Sequence, residues 1–210
     1  MRSDQRHESA RPRRRRGLLL AALLAAAVAL SAGAPAAASA SPYMRELSQA
    51  SAHLRMAIEI KPAQLGEHLG SSEVVCGLGE AAANRGDVGS AEADWNTLSQ
   101  LVDELDRPDL AGIDAAFVRA DASLVELRRH FERAWRKQPQ QVRELRRGVA
   151  DTRRGIARLR QAMARVGTGV GRWDSHDCAG ARAGILAGAR AISPGLEVVN
   201  RGMERLWGLG

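Results

Sequence analysis

The chain has 210 residues, 45% of them hydrophobic and 3% aromatic, with a formal charge of +7. That charge is uneven: residues 1–40 hold seven Arg against Asp4 and Glu8, while 41–210 hold 24 basic and 22 acidic residues. A net of +2 over 41–210 excludes an argument for nucleic-acid binding from the isoelectric point, and no nucleic-acid partner is expected.

The first forty residues read as a targeting segment. "RPRRRRG" is a positively charged start, "LLLAALLAAAVAL" an apolar core and "AASA" a small-residue exit. Together they predict a secretory signal peptide over 1–40, cleaved between Ala40 and Ser41. The apolar core has 13 residues, short of the ~20 that span a bilayer. No transmembrane span is therefore expected after cleavage. Arg15-Arg16-Gly17-Leu18-Leu19 also fits a twin-arginine export core. The remaining 41–210 are expected to form a single helical-bundle domain, secreted or otherwise extracytoplasmic (periplasm or cell wall). Two cysteines remain, Cys76 and Cys178, and in an exported protein such a pair predicts a disulfide. A loop of this length would contribute ~4–5 kcal/mol in the chain-entropy model. Lys is nearly absent from this part (Lys61 and Lys137) while Arg and Ala abound, a composition expected of a GC-rich bacterial genome.

In chain order, the first helix is expected near 43–61, with Met44, Leu47, Leu54 and Ile58 on one face, until Pro62 ends or kinks it. A second follows near 71–84. "NRGDVGS" breaks the chain before a third at 89–105, where Ala91, Trp95, Leu98 and Val102 recur. "DRPD" precedes a fourth over 109–137, with Ile113, Phe117, Ala120, Leu124, Leu127 and Phe131 inward. "KQPQQ" separates it from a fifth over 140–166, with Leu145, Val149, Thr152, Ile156, Leu159 and Met163 inward. "GTGVGRWDS" reads as a flexible Gly-rich linker. Helices near 175–190 and 194–207 close the chain, the last opened by Ser193 as cap and Pro194 at its first position. The apolar series step by alternating threes and fours, the pattern of coiled-coil-like packing. No stretch alternates with a period of two. The fold class expected is all-α: an elongated antiparallel helical bundle built round a long coiled-coil-like αα-hairpin (109–137 / 140–166), with one disulfide. Heptads of this length also permit self-association through an exposed seam.

Candidate chemistry is sparse. A di-iron bundle needs paired Glu-x-x-His, and the nearest approach is a single Glu126-Leu-Arg-Arg-His130 with the wrong spacing. His53 with Met44 or Met163 could ligate haem, so an extracytoplasmic haem- or metal-binding bundle is the competing reading. No cofactor and no metal ligand is assigned. Ser71, Ser72, Ser123 and Ser175 lie in no recognisable motif. His176, Asp177 and Cys178 are consecutive and point in different directions, which rules out a relay. No catalytic residue is assigned, and a non-enzymatic protein is expected. "GTGVG" lacks the strand before it and the Gly-Lys-Ser/Thr after it that a phosphate loop needs. "RGD" at 85–87 falls in a predicted exposed loop.

Charge is the informative feature. Residues 87–114 carry net −7 and 119–165 carry net +9. With the apolar series as heptad a and d positions, Arg146, Arg153 and Arg160 all fall at e. In an antiparallel hairpin they oppose Arg128, Asp121 and Asp114. On the other flank Gly148, Gly155 and Ala162 would face His130, Ser123 and Ala116 across a close contact. Arg128 and Arg146 are left without a counter-charge. They join Arg129, Arg133, Arg136, Lys137, Arg143 and Arg147 at the hairpin tip, where Glu132 and Glu144 are the acids and the net is +6. Guanidinium clusters suit phosphate and carboxylate groups by bidentate hydrogen bonding. The expected function is binding or scaffolding at the cell envelope. The anion-contact candidates are Arg128, Arg129, Arg136, Lys137, Arg143, Arg146 and Arg147, and the expected partner is an anionic envelope component or an acidic protein.

Overall fold

The computed structural model describes residues 41–104 and 110–210. The expected signal segment 1–40 and the 106–109 break lie outside the described residues. Within them the secondary structure is helical, without strands. Helix α1 (Pro42–Arg55) is capped by Ser41, whose hydroxyl accepts from Met44 N at 3.3 Å, with Pro42 at the first position. It buries Tyr43, Leu47, Ala50 and Leu54 at steps of four, three and four.

The expected gap after Pro62 is not there. A π-helical turn, Met56–Ile60, leads directly into α2 (Lys61–Asn84). Proline has no N–H to give the helix, and a π-turn just before it lets the chain stay helical. Leu65, Leu69, Ser72 and Cys76 keep one face buried through the region expected to be a loop. At the next turn Gly86 takes φ +74°, and Asp87 caps α3 (Val88–Glu104) by accepting from Ser90 N at 3.1 Å.

Helices α4 (Ala111–Ala134) and α5 (Pro139–Val170) form the expected hairpin across a short turn. Pro139 stands where its missing N–H has no helical partner to lose. Helix α6 (Cys178–Trp207) returns along α5 for most of its length. Two expected breaks are absent. "GTGVG" is the last turn of α5, followed by a 3-10 turn at Trp173–Ser175, with Trp173 only 2% exposed. Pro194 lies inside α6 rather than opening a new helix.

One feature explains both. Gly148, Gly155, Ala162 and Gly169 recur every seven residues on α5, and Ala181, Gly188, Gly195 and Gly202 do so on α6. The two series run antiparallel against each other, and the backbones touch. A Cβ on Gly155 would lie 2.6 Å from Val199 N and 3.0 Å from Gly195 O. On Gly188 it would lie 2.7 Å from Ala162 O, and on Gly169 it would lie 2.7 Å from Ile185 N and 2.9 Å from Ala181 O. The glycine stripe of α5 therefore faces α6, not the His130–Ser123–Ala116 row of α4. It holds the Gly-rich end of α5 helical, and it holds both halves of α6 across Pro194. Thr152, the polar member of the α5 series, is fully buried and packs against Gly202. Its hydroxyl donates to Gly148 O at 2.9 Å.

The disulfide Cys76–Cys178 joins α2 to the start of α6, closing 102 residues with Cα atoms 5.9 Å apart. Arg182 reinforces that junction with a 2.6 Å ion pair to Glu73. Among the described residues no helix is long and apolar enough to cross a membrane.

Candidate functional site

The tip of the α4/α5 hairpin is built on aromatic rings. The turn closes through Trp135 N to Phe131 O (2.8 Å) and Gln138 N to Trp135 O (2.7 Å). Trp135, Phe131 and Tyr43 pack mutually, with ring centroids 4.9–5.2 Å apart. The Tyr43 hydroxyl donates to Leu206 O at 2.7 Å, and burial pushes its pKa up. His130, expected opposite Gly148, instead meets Glu46 of α1 at 2.6 Å. The tip is thus tied to α1 and to the end of α6, and Trp135 is a packing residue of its base.

The charges on this base divide into two groups. Glu132 takes both Arg128 (3.2 Å) and Arg146 (2.8 Å). The expected Arg128–Arg146 confrontation is therefore relieved by a carboxylate one turn along α4. The hydrogen bond to Glu132, with its charge, raises the pKa of the Arg146 guanidinium. Arg147 pairs with Glu144 at 2.8 Å, and Arg129 lies 3.8 Å from Glu126. By contrast, Arg133, Arg136, Lys137 and Arg143 are exposed and make no ion pair or side-chain hydrogen bond among the described residues. All seven anion-contact candidates lie on the surface at this end, but Arg136, Lys137 and Arg143 alone among them keep an uncompensated charge. Arg133 belongs with these three.

The flank below the tip shows the expected register. Arg153 donates to both Asp121 oxygens at 2.6 and 3.0 Å, and Arg160 to both Asp114 oxygens at 2.6 and 3.1 Å. In each pair the hydrogen bond to the carboxylate raises the arginine's pKa.

Of the remaining candidates, Ser72 is buried with no hydrogen-bond partner for its hydroxyl among the described residues, and several others have structural partners. Ser123 Oγ lies 2.9 Å from His53 Nδ1 and 3.0 Å from Arg119 O. With its one proton donated to that backbone carbonyl, the hydroxyl accepts from His53 Nδ1, an arrangement that ties α1 to α4. Cys178 is committed to the disulfide. Asp177 caps α6 by accepting from Gly180 N at 2.8 Å. His176 takes a left-handed backbone (φ 58°) and stacks on Trp95 with centroids 4.3 Å apart. In the exposed Arg85-Gly86-Asp87 turn, hydrogen bonds from Ser90 lower the pKa of Asp87.

Arginines missed in the sequence line the groove between α5 and α6. Arg154 and Arg158 stand one turn apart on α5, and Arg201 and Arg205 one turn apart on α6. Each pair is visible as an i, i+4 repeat, but their meeting depends on the α5/α6 pairing. Compared with protein-family models, with curated proteins and with solved structures, the chain matches none.

Proposed function

We propose that the protein is a non-enzymatic helical bundle that works outside the cytoplasm and binds an anionic component of the cell envelope through the hairpin tip. One observation carries this reading: Arg133, Arg136, Lys137 and Arg143 are exposed at the hairpin tip, without an ion pair among the described residues, on a base fixed by aromatic packing. Lower on the hairpin, on the flank facing α4, Arg153 and Arg160 are each neutralised, by Asp121 and Asp114. Four cations on one anchored turn offer phosphate or carboxylate groups several donors at once. The disulfide supports an oxidising compartment, and the leader-like composition of 1–40 supports export.

The test is sedimentation of the full mature chain with vesicles containing anionic lipid, at low and high salt. Replacing Arg133, Arg136, Lys137 and Arg143 with Gln should abolish a salt-sensitive association and leave the urea midpoint unchanged. Equal binding by the variant and the parent would overturn the reading.

A further inference from the structure

A second basic feature lies in the groove between α5 and α6. Its walls are Arg154 and Arg158 on α5 and Arg201 and Arg205 on α6, with Asp151 at one end and Val198 as an apolar floor. The glycine seam places the rows. Arg154 adjoins Gly155 and Arg201 adjoins Gly202, so the backbone contact draws two arginine rows together across a shallow cavity of about 270 Å³. Asp151 is the sole acid lining it, and it is already shared by Arg154 (3.1 Å) and Arg205 (3.6 Å). Arg205 also reaches Glu144 at 3.7 Å. Arg158 and Arg201 make no ion pair or side-chain hydrogen bond among the described residues.

This gathering opposes folding. Like charges one turn apart destabilise a helix, and here two such pairs face each other. On the opposite flank of the same helix, Arg153 and Arg160 each have a bidentate aspartate. Among the described residues no bidentate carboxylate meets the arginines on the α6 side. Val198, 6% exposed, lies between the two arginine rows, whose guanidinium groups are exposed to solvent.

We propose that this groove is a binding site for a phosphate monoester or diphosphate group. Arg158 and Arg201 would be its primary donors, and Arg154 and Arg205 would turn from Asp151 to complete it. Four arginines against one aspartate leave three positive charges. A carboxylate brings one negative charge and two oxygens; a phosphomonoester brings about −1.5 to −2 and three acceptor oxygens, which suits guanidinium forks on two walls. The volume lies below the ~300–1,000 Å³ of drug-sized ligand sites, so the groove fits the phosphate group rather than a large organic ligand around it. The site is separate from the tip, and neither proposal requires the other.

The experiment uses the full mature chain and two probes. Pyrophosphate is titrated calorimetrically, and vesicles carrying phosphatidic acid are compared with neutral vesicles. Arg158→Gln with Arg201→Gln should weaken binding by about tenfold or more per arginine removed, while the four tip substitutions should leave pyrophosphate binding unchanged. Asp151→Asn should tighten binding, because it frees Arg154, leaves Arg205 only its contact with Glu144, and removes the acid that lines the groove. Groove-dependent pyrophosphate binding identifies a soluble phosphate ligand. Vesicle binding that persists in the fourfold tip variant and is lost when the groove substitutions are added to it, without pyrophosphate binding, identifies a lipid headgroup. Absence of pyrophosphate binding together with absence of vesicle binding in the tip variant, or binding that the groove substitutions leave unchanged in that background, overturns the proposal. Unchanged helicity and urea midpoint show that the variants fold.

Discussion

Helix α5 meets two neighbours by two different chemistries. Toward α4 its flank carries Arg153 and Arg160, each forked onto an aspartate. Toward α6 it carries Gly148, Gly155 and Gly169, and backbone meets backbone. The first interface can yield, because an exposed guanidinium rotates away at small cost. The second has nothing to move except the helix itself. A seven-residue repeat therefore reports that a helix face is in use, and the residue type reports how tightly. Glycine in mid-helix costs roughly 0.5–1 kcal/mol relative to alanine, and the close backbone approach it permits is the compensation.

The largest expected effect comes from filling the seam. Gly155→Leu must place its Cβ within 2.6 Å of Val199 N, an atom fixed in α6. Overpacking against backbone should lower stability by about 3 kcal/mol, read as a fall in the urea midpoint. An unchanged midpoint would mean that α6 does not lie on this face.

Tyr43 of α1 joins the two sides, since its ring packs on Phe131 and Trp135 at the α4 end while its hydroxyl donates to Leu206 O of α6. It is the one tyrosine in the chain. Burial raises its pKa above the ordinary 10.0. The unfolded chain therefore releases this proton before the folded one does. The contribution is fully present below pH 10.0 and is lost progressively above it, at no more than about 1.4 kcal/mol per pH unit. Tyr43→Phe should flatten that alkaline decline. If parent and variant decline alike above pH 10.0, the tyrosine is not buried against α6.

A third substitution isolates the seam from glycine as such. Gly77 lies in α2 with open space where a Cβ would stand. Gly77→Ala should raise stability by about 0.5–1 kcal/mol, opposite in sign to Gly155→Leu. A loss at both positions would remove the distinction between a seam glycine and a merely helical one.

The Asp–Arg register was legible in the sequence because charges of opposite sign at matching heptad positions name their own partners. Asp114 finds Arg160 and Asp121 finds Arg153 once the hairpin is recognised. The seam was half legible. Gly148, Gly155 and Ala162 stand out as small residues, but glycine has no chemistry that names a partner. The matching series on α6 crosses Ser193-Pro194, a pair that reads as a helix start. Broken there, Ala181, Gly188, Gly195 and Gly202 no longer form one repeat. The same substitution of tertiary contact for propensity kept "GTGVG" helical. At the tip the cations were legible as a cluster. Glu132 was visible one turn beyond Arg128, yet its sharing with Arg146 emerged only with the helices in place. The α5/α6 groove was out of reach, because its four arginines belong to helices whose pairing the sequence did not reveal.

The smallest expected effect is on the compliant face. In the Arg153–Asp121 pair the side chains are 42% and 34% exposed, so solvent screens much of the attraction despite the bidentate geometry. Asp121→Asn should cost about 0.5 kcal/mol. A double-mutant cycle with Arg153→Gln should return a coupling of about that size. Near 1 M salt, where the screening length falls to about 3 Å, the coupling should shrink toward zero. Gly155→Leu should keep its full effect in the same buffer, because a steric overlap has no ionic atmosphere to weaken it. Salt thus separates the two faces of α5 without reference to absolute magnitudes. If the Asp121 coupling persists at high salt at the scale of the glycine substitution, the α4 face is as rigid as the α6 face and the contrast between them fails.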